Sequence, residues 1–406
     1  GVVVPFYSDM FFFKFGSRQD DMLSLKGREK ESKWFTSASN RNRFLDEREL
    51  GDWLSQIKIC INVSRAVRRL HSAGLAHSDL SYKNILVDPV TGKACIIDID
   101  GLVVPGKYPP EVVGTPDFIA PECVMTSQLS NSDPRRKLPS ITTDQHALAT
   151  FIYLLLLCRH PLRGRKVHNH EDPLIDENES MGSGALFIEH PTDRSNWVSL
   201  DELKPSELPW RDTSAMPYSI TGPYLSTLFQ RAFVEGLHNP IQRPTADEFE
   251  HALYKTVDHL HPCSNSECKQ KWFVLDQNFT CPFCSTRVTS SVPVLNLYHS
   301  DGQPGSFQSE DRRIVVFNNF SLFPWHSQYG VVPNEKLPPE MKRRVAYFVF
   351  HQGTWYLVNE SIPNLYDLTN KSDIPMGSNV PLSEGLQLLT SKDINGRLIL
   401  VQFLNT

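Results

Sequence analysis

Apolar side chains recur at helical intervals in the first two thirds of the chain and at strand intervals in the last third, and this change of period divides the sequence. Trp53, Leu54, Ile57, Ile61, Ala66, Val67 and Leu70 have the spacing of an amphipathic helix, which the pattern predicts to end near Gly74. A second apolar stretch, Ala147 to Cys158 interrupted only by Thr150, falls short of the roughly 20 residues of a membrane span and reads as a buried helix. Phe229 to Leu237 and Thr245 to Val257 predict two closing helices, the latter preceded by Pro244 and capped by Thr245. Asn84 to Val87 and Ala94 to Ile99 flank Asp88-Pro89 and Thr91-Gly92, which predicts a hairpin. Arg313 to Phe317, Val345 to Phe350, Thr354 to Val358 and Arg397 to Phe403 alternate, with turns at Gln352-Gly353 and Asn395-Gly396, and predict an all-β sandwich. The charged stretch from Ser17 to Arg43 shows no period and reads as an inserted, mobile loop.

The expected fold class is therefore multidomain α+β, with a mainly helical region over residues 1–257, a small module over 258–287 and a β-sandwich over 288–406. A length of 406 residues exceeds one ordinary core and agrees with two or three domains. With 41 Lys plus Arg against 46 Asp plus Glu, the formal charge of -5 gives no nucleic-acid footprint. Gly1 to Pro5 carry neither the basic start nor the apolar helix of a secretory signal, so the expected location is cytoplasmic. Of the eight cysteines, Cys60, Cys95, Cys123 and Cys158 lie singly among apolar neighbours and read as core thiols. Cys263, Cys268, Cys281 and Cys284 are clustered.

The chemistry that stands out is His77-Ser78-Asp79-Leu80-Ser81-Tyr82-Lys83-Asn84 followed by Ile96-Ile97-Asp98-Ile99-Asp100. Bracketing a hairpin, these segments bring Asp79, Asn84 and Asp98 toward one cleft. Phosphoryl transfer needs a carboxylate to orient or deprotonate the attacking hydroxyl and hard oxygen ligands for magnesium. At these residues the sequence resembles the protein-kinase family, in a divergent bacterial Ser/Thr kinase-like branch. His77-Ser78-Asp79 looks like the catalytic loop, Asn84 like its magnesium asparagine, and Asp98-Ile99-Asp100 like the metal-binding aspartate motif. Gly114-Thr115-Pro116 resembles the substrate-binding loop and Ala120-Pro121-Glu122 the end of the activation segment. Asp144 resembles the buried aspartate opening a long core helix, and Arg243 the late arginine that pairs with Glu122. The resemblance implies Asp79 as catalytic base, Asn84 and Asp98 as Mg²⁺ ligands, and contacts from Val4, Asn84, Asp98 and Asp100 to ATP.

Several positions depart from that pattern. Ser78 stands where an arginine normally precedes the catalytic aspartate, Ser81 replaces a lysine, Lys83 is no obvious geometric substitute for it, and Asp100 replaces a glycine. No G-x-G-x-x-G or V-A-I-K pattern precedes Asp79, whereas kinases need such elements to hold the phosphates. Gly1-Val2-Val3-Val4-Pro5-Phe6 resembles the last small-lobe strand and the adenine-contacting hinge. The expectation is a fragment of a larger kinase-like protein, active as a parent and nearly inactive as this segment. The alternative is a pseudokinase scaffold, favoured by Ser78, Ser81 and Asp100.

Cys263-x4-Cys268-x12-Cys281-x2-Cys284 has structural Zn²⁺ spacing, closed to substrate water, and resembles a zinc ribbon with Trp272-Phe273-Val274 and Phe279 around the metal. His261 is an alternative ligand, and an iron centre or unliganded thiols are the alternatives to zinc; Lys269, Lys271 and Arg287 are too few for a nucleic-acid patch. From Tyr347 to Phe403 the sequence weakly resembles a forkhead-associated (FHA-like) domain without its early arginine and serine. A degenerate sandwich docking a partner or the kinase lobe is expected over phosphopeptide binding, for which Arg343, Arg344, Ser361 and Asn364 are the candidates. The kinase resemblance implies protein substrates or signalling partners, with a PP2C-type phosphatase and a von Willebrand A-type protein from stress or tellurite-resistance clusters among them.

Overall fold

The computed structural model describes residues 7–404 except 19–22, 105–106, 108–113, 131 and 304. The hinge-like segment, with Val4, lies outside the described residues. The chain divides into two units, one formed by Gly1–Thr256 with Lys269–Lys271, the other by Val257–Cys268 with Trp272–Thr406.

The first unit is mainly helical. Its longer helices are α1 (Ala38–Phe44), α2 (Trp53–Ser72), with a hairpin of β1 (Ile85–Asp88) and β2 (Lys93–Ile96) after it, then α3 (Pro121–Met125), α4 (Ile141–Leu157), α5 (Pro173–Met181), α6 (Pro223–Gln230) and α7 (Ala246–Asp258), whose last two residues, Val257 and Asp258, cluster with the second unit. Asp52 caps α2 through Ser55 N at 2.9 Å, and Gly74 ends it at a φ of +74°, a left-handed position that glycine reaches without a Cβ penalty. α4 is buried along nearly its whole length, which explains an apolar stretch without amphipathic period. α6 continues into a π-helical turn, Arg231–Glu235. Thr245 and Glu248 cap α7 reciprocally, Glu248 N to Thr245 Oγ1 at 3.2 Å and Thr245 N to Glu248 Oε2 at 2.9 Å, the capping box its sequence predicts.

The stretch read as an inserted loop is a built part of this unit. Leu25, Lys30, Ser32, Phe35, Ala38 and Arg41 are buried, Val87 N donates to Lys30 O at 2.9 Å, and Lys30 Nζ sits 2.7 Å from Glu49 and 3.1 Å from Asp88. Charged letters suggested solvent; here they satisfy one another inside the fold, as burial of charge requires.

The second unit carries a two-stranded ribbon, β3 (Leu260–Pro262) with β4 (Trp272–Val274), and ten further strands: β5 (Val292–Ser300), β6 (Phe307–Val315), β7 (Ser321–Leu322), β8 (Ala346–His351), β9 (Thr354–Asn359), β10 (Tyr366–Asp367), β11 (Ser372–Asp373), β12 (Asn379–Pro381), β13 (Gln387–Leu389) and β14 (Arg397–Leu404). They form a six-stranded sheet in the order β11-β10-β13-β14-β5-β6 and a four-stranded sheet in the order β12-β9-β8-β7, with antiparallel neighbours throughout. Alternate residues of both sheets, among them Leu295, Ile314, Phe348, Leu357, Leu388 and Val401, share one core.

Candidate functional site

The loop between α2 and β1 is pinned by an aspartate from another helix. Asp144, 2% exposed in the first turn of α4, accepts from His77 N at 2.6 Å, Ser78 N at 3.3 Å and His71 Nε2 at 3.2 Å. His77 Nε2 meets Ile97 O at 3.0 Å, and Ala76 pairs with Val103 through two backbone hydrogen bonds of 3.0 and 2.9 Å. Ser78 takes a φ of +70° and donates its hydroxyl to Gly101 O at 2.8 Å. Held at these points, the loop presents Asp79.

Asp79 Oδ1 accepts from Thr115 N at 2.7 Å and Oδ2 from Asn84 Nδ2 at 3.0 Å; the same Nδ2 donates to Asp79 O at 2.9 Å. Gly114 makes the approach of Thr115 possible: its φ is +111°, and a Cβ there would stand 3.3 Å from Ser78 O. Asn84 O accepts from Ile97 N at 2.9 Å, extending the hairpin by one rung, so Asp98 is the first residue past the paired strands. It is exposed, with φ and ψ of 58° and 49°, and opens a 3-10 turn over Ile99–Gly101 that contains exposed Asp100. The structure thus bonds Asp79 to Asn84 directly and holds Asp98 near them through the backbone; among the described residues no hydrogen bond joins Asp98 to either. Ser81 is fully buried and receives the Thr115 hydroxyl at 3.2 Å, while Lys83 is exposed.

A second polar chain beside this loop went unnoticed in the sequence. Tyr82 Oη donates to Asp117 at 3.0 Å, Arg163 reaches Asp117 at 2.6 Å and Glu177 at 2.6 Å, and His160 Nε2 meets Asp117 O at 2.9 Å. Burial brings His160 down to about 4 and, with Asp117, pushes Tyr82 up to about 12. Although burial opposes it, His160 and Arg163 hold the Asp117 carboxyl below its ordinary value. The only local clue is that Asp117 directly follows Gly114-Thr115-Pro116. Farther out, Arg243, whose side chain is wholly buried, grips Glu122 through two nitrogens at 2.8 and 2.7 Å and donates to three carbonyls, of Gly236, Leu237 and Thr142.

In the second unit the sulfurs of Cys263, Cys268, Cys281 and Cys284 lie within 4.8 Å of one another. Cys263 and Cys284 are 3.5 Å apart and Cys268 and Cys281 3.9 Å. Four sulfurs at tetrahedral Zn²⁺ distances stand roughly 3.8 Å apart, so the donor set fits that ion. Burial works against ionisation of Cys284, yet hydrogen bonds from Thr286 and the neighbouring thiols bring it down to about 6. His261 is not in this cluster; its ring packs against Phe273 and Phe317. Phe273, Leu275, Val288, Val292 and Val315 surround the thiols. In the β unit, Ser361 and Asn364 line a cavity, Arg344 is paired with Glu360 at 2.7 Å, and exposed Arg343 does not line it.

A catalytic-type loop tied to a helix-borne aspartate, a hairpin carrying its asparagine and a buried Glu-Arg clasp define a kinase-type lobe. The protein kinase domain model matches residues 24–254, over half of the chain, and the chain belongs to that family. Among relatives, it is 37% identical over 70 residues to a dual serine/threonine and tyrosine protein kinase of Apis mellifera, covering 17% of this chain and 7% of that protein. It is 27% identical over 172 residues to serine/threonine-protein kinase PknG of Mycolicibacterium smegmatis, covering 42% and 21%, and 34% identical over 124 residues to death-associated protein kinase dapk-1 of Caenorhabditis elegans, covering 30% and 8%. The chain thus spans about a fifth or less of these relatives' lengths. Among the described residues no helix is long and apolar enough to cross a membrane.

Proposed function

We propose that the helical unit is a serine/threonine protein-kinase-like signalling element in which Asp79 is the base toward a protein hydroxyl, while Asn84 and Asp98 hold the magnesium of Mg-ATP. The observation that supports it most is the Asp79–Asn84 bond: Nδ2 is engaged on Asp79, leaving Asn84 Oδ1 for a hard cation. When bound, Mg-ATP supplies the phosphoryl group with its charge neutralised. Around it, Thr115 N orients Asp79, His77 and Asp144 fix the loop, and Asp100 and Val4 contact the nucleotide. Because no glycine-rich loop or phosphate-pairing lysine precedes Asp79 within these 406 residues, residues 1–406 by themselves are proposed to bind nucleotide weakly and turn over little.

The test is phosphate incorporation from labelled ATP and Mg²⁺ into generic protein substrates, with residues 1–406 and with the polypeptide as its gene encodes it. Little incorporation by 1–406, and a loss of at least about a hundredfold in the encoded polypeptide on Asp79→Ala, are expected. Robust turnover by 1–406 overturns the low-activity proposal; turnover indifferent to Asp79→Ala overturns the base assignment.

A pseudokinase scaffold is the second reading, favoured by Ser81, which is sealed beneath Thr115 where the family resemblance calls for a lysine. Nucleotide binding indifferent to Mg²⁺ would favour it. In either reading the four cysteines are proposed to hold one structural Zn²⁺ in a zinc ribbon. The β unit is proposed to be a sandwich that docks a signalling partner, with a PP2C-type phosphatase and a von Willebrand A-type protein as the candidates the resemblance implies.

A further inference from the structure

At one end of the β unit a cavity of about 330 Å³ opens among Gln328, Ser361, Asn364, Asp393, Asn395 and Gly396, within the size range of ligand sites. Both walls are held in place from behind. Asn359, fully buried, donates to Ile362 O at 2.9 Å and Ile374 O at 2.8 Å and accepts from Ile362 N at 2.9 Å, which fixes the loop carrying Ser361 and Asn364. On the other wall Gly396 N donates to Asp393 O at 2.8 Å, and Gln328 bridges to Gly396.

The charge of the lining selects against phosphate. Among the described residues that line the cavity, Asp393 alone is of an acidic or basic type. The arginines and lysines adjacent in sequence to lining residues are engaged elsewhere: Arg344 on Glu360 and over the Tyr347 ring, Lys392 over the Tyr366 ring, and Arg397 on Glu310 at 2.5 Å. The side-chain amides of Gln328, Asn364 and Asn395 have no hydrogen bond among the described residues, and each offers both a donor and an acceptor, as a peptide group does. Val345, Ile362 and Pro363 also line the cavity; beside it Ile394 is 68% and Tyr329 43% exposed, Tyr329 with its ring stacked on His299 and its N bonded to Asn395 O at 2.9 Å. A small polar solute has no use for such a rim; a polypeptide with an apolar side chain does.

We propose that this cavity docks an unphosphorylated segment of a partner protein, one presenting an apolar residue next to a lysine or arginine. The peptide main chain lies on the Asn364 and Asn395 amides, the apolar residue on Ile394 and Tyr329, and the cation at Asp393. This goes beyond the phosphoryl-transfer reading and stands independently of it, since the test reads binding alone.

The test offers the whole chain three matched degenerate peptide sets: lysine beside an apolar residue, the same with glutamine for lysine, and phosphothreonine in place of both. Selection of the first set is expected. In fluorescence anisotropy on a selected peptide, Asn364→Ala combined with Asn395→Ala should weaken binding about tenfold, and Asp393→Asn about threefold for the lysine peptide with no change for its glutamine version. Unchanged thermal midpoints of these surface variants exclude unfolding as the cause. Selection of the phosphothreonine set, no selection at all, or selected peptides indifferent to all three substitutions overturns the proposal.

Discussion

At the scale of single residues, Arg243 is a charge with no access to water, and its partner Glu122 keeps only a fifth of its side chain exposed. Arg243 and Glu122 are a hundred and more positions apart in sequence, and only a family pattern could pair them. Truncating Arg243 leaves Glu122 and three carbonyls without their donor. Arg243→Ala should cost about 3 kcal/mol or more, whereas Lys26→Ala, at an exposed site, should stay within about 0.5 kcal/mol; equal shifts in thermal midpoint would sink the clasp's structural role. Asp258 in the second unit offers a pH test. Burial alone would raise it, but Arg312 at 2.7 Å and His326 at 3.1 Å hold it at about 2. A lowered carboxyl stabilises the fold above its unfolded value, so this contribution is lost as pH falls from about 4 toward 2. His326 acts in the same sense: burial lowers it, its Nδ1 accepts from Phe323 N at 3.1 Å, and protonation destroys that bond, so stability also declines as pH drops below about 6.5. Acid titration of the melting temperature should show both steps, and His326→Gln should remove the upper one. The part played by Thr115 was illegible in the sequence for a simple reason: it bonds Asp79 through its backbone amide, which every residue but proline possesses.

At the scale of elements, legibility followed periodicity. α2, α7 and the strands β8, β9 and β14 fell close to where their apolar spacing put them, and the Thr245–Glu248 box marked a helix start. Two-residue strands such as β10 and β11 have no period to read. The segment around Lys30 failed for the opposite reason, since its charged letters imitate solvent exposure while Lys30 and Glu49 are 1% and 2% exposed. Lys30→Met should therefore destabilise the first unit by about 3–5 kcal/mol, two buried carboxylates losing their common cation, and adding Glu49→Gln and Asp88→Asn should recover part of that loss. Denaturant midpoints check this; a Lys30→Met protein as stable as its parent would return the segment to loop status. The cysteine module depends on another kind of bond. If the four thiols hold the proposed Zn²⁺, its binding adds folding free energy to that of the apolar cluster around them. Chelation, or Cys281→Ser, should release one zinc per chain and raise amide exchange through β3 and β4, and retention of stoichiometric zinc by Cys281→Ser contradicts the ligand set.

At the scale of the whole molecule, the two units interleave along the chain, which no periodicity or motif foretells. Residues 269–271 cluster with the first unit although the cysteines on either side cluster with the second. Gln270 O accepts the backbone amide of Trp53, the first residue of α2, at 3.1 Å, satisfying one of the donors a helix start leaves open, and Lys269 pairs with Glu47 at 2.9 Å. Dissection of the gene must respect this. A truncation after residue 257 deletes three residues that belong to the retained half and strips a hydrogen bond from the beginning of its longest helix. Separately expressed halves would each be trimmed of something the other carries, so a poorly behaved truncation product reports on where the chain was cut before it reports on whether a half can fold.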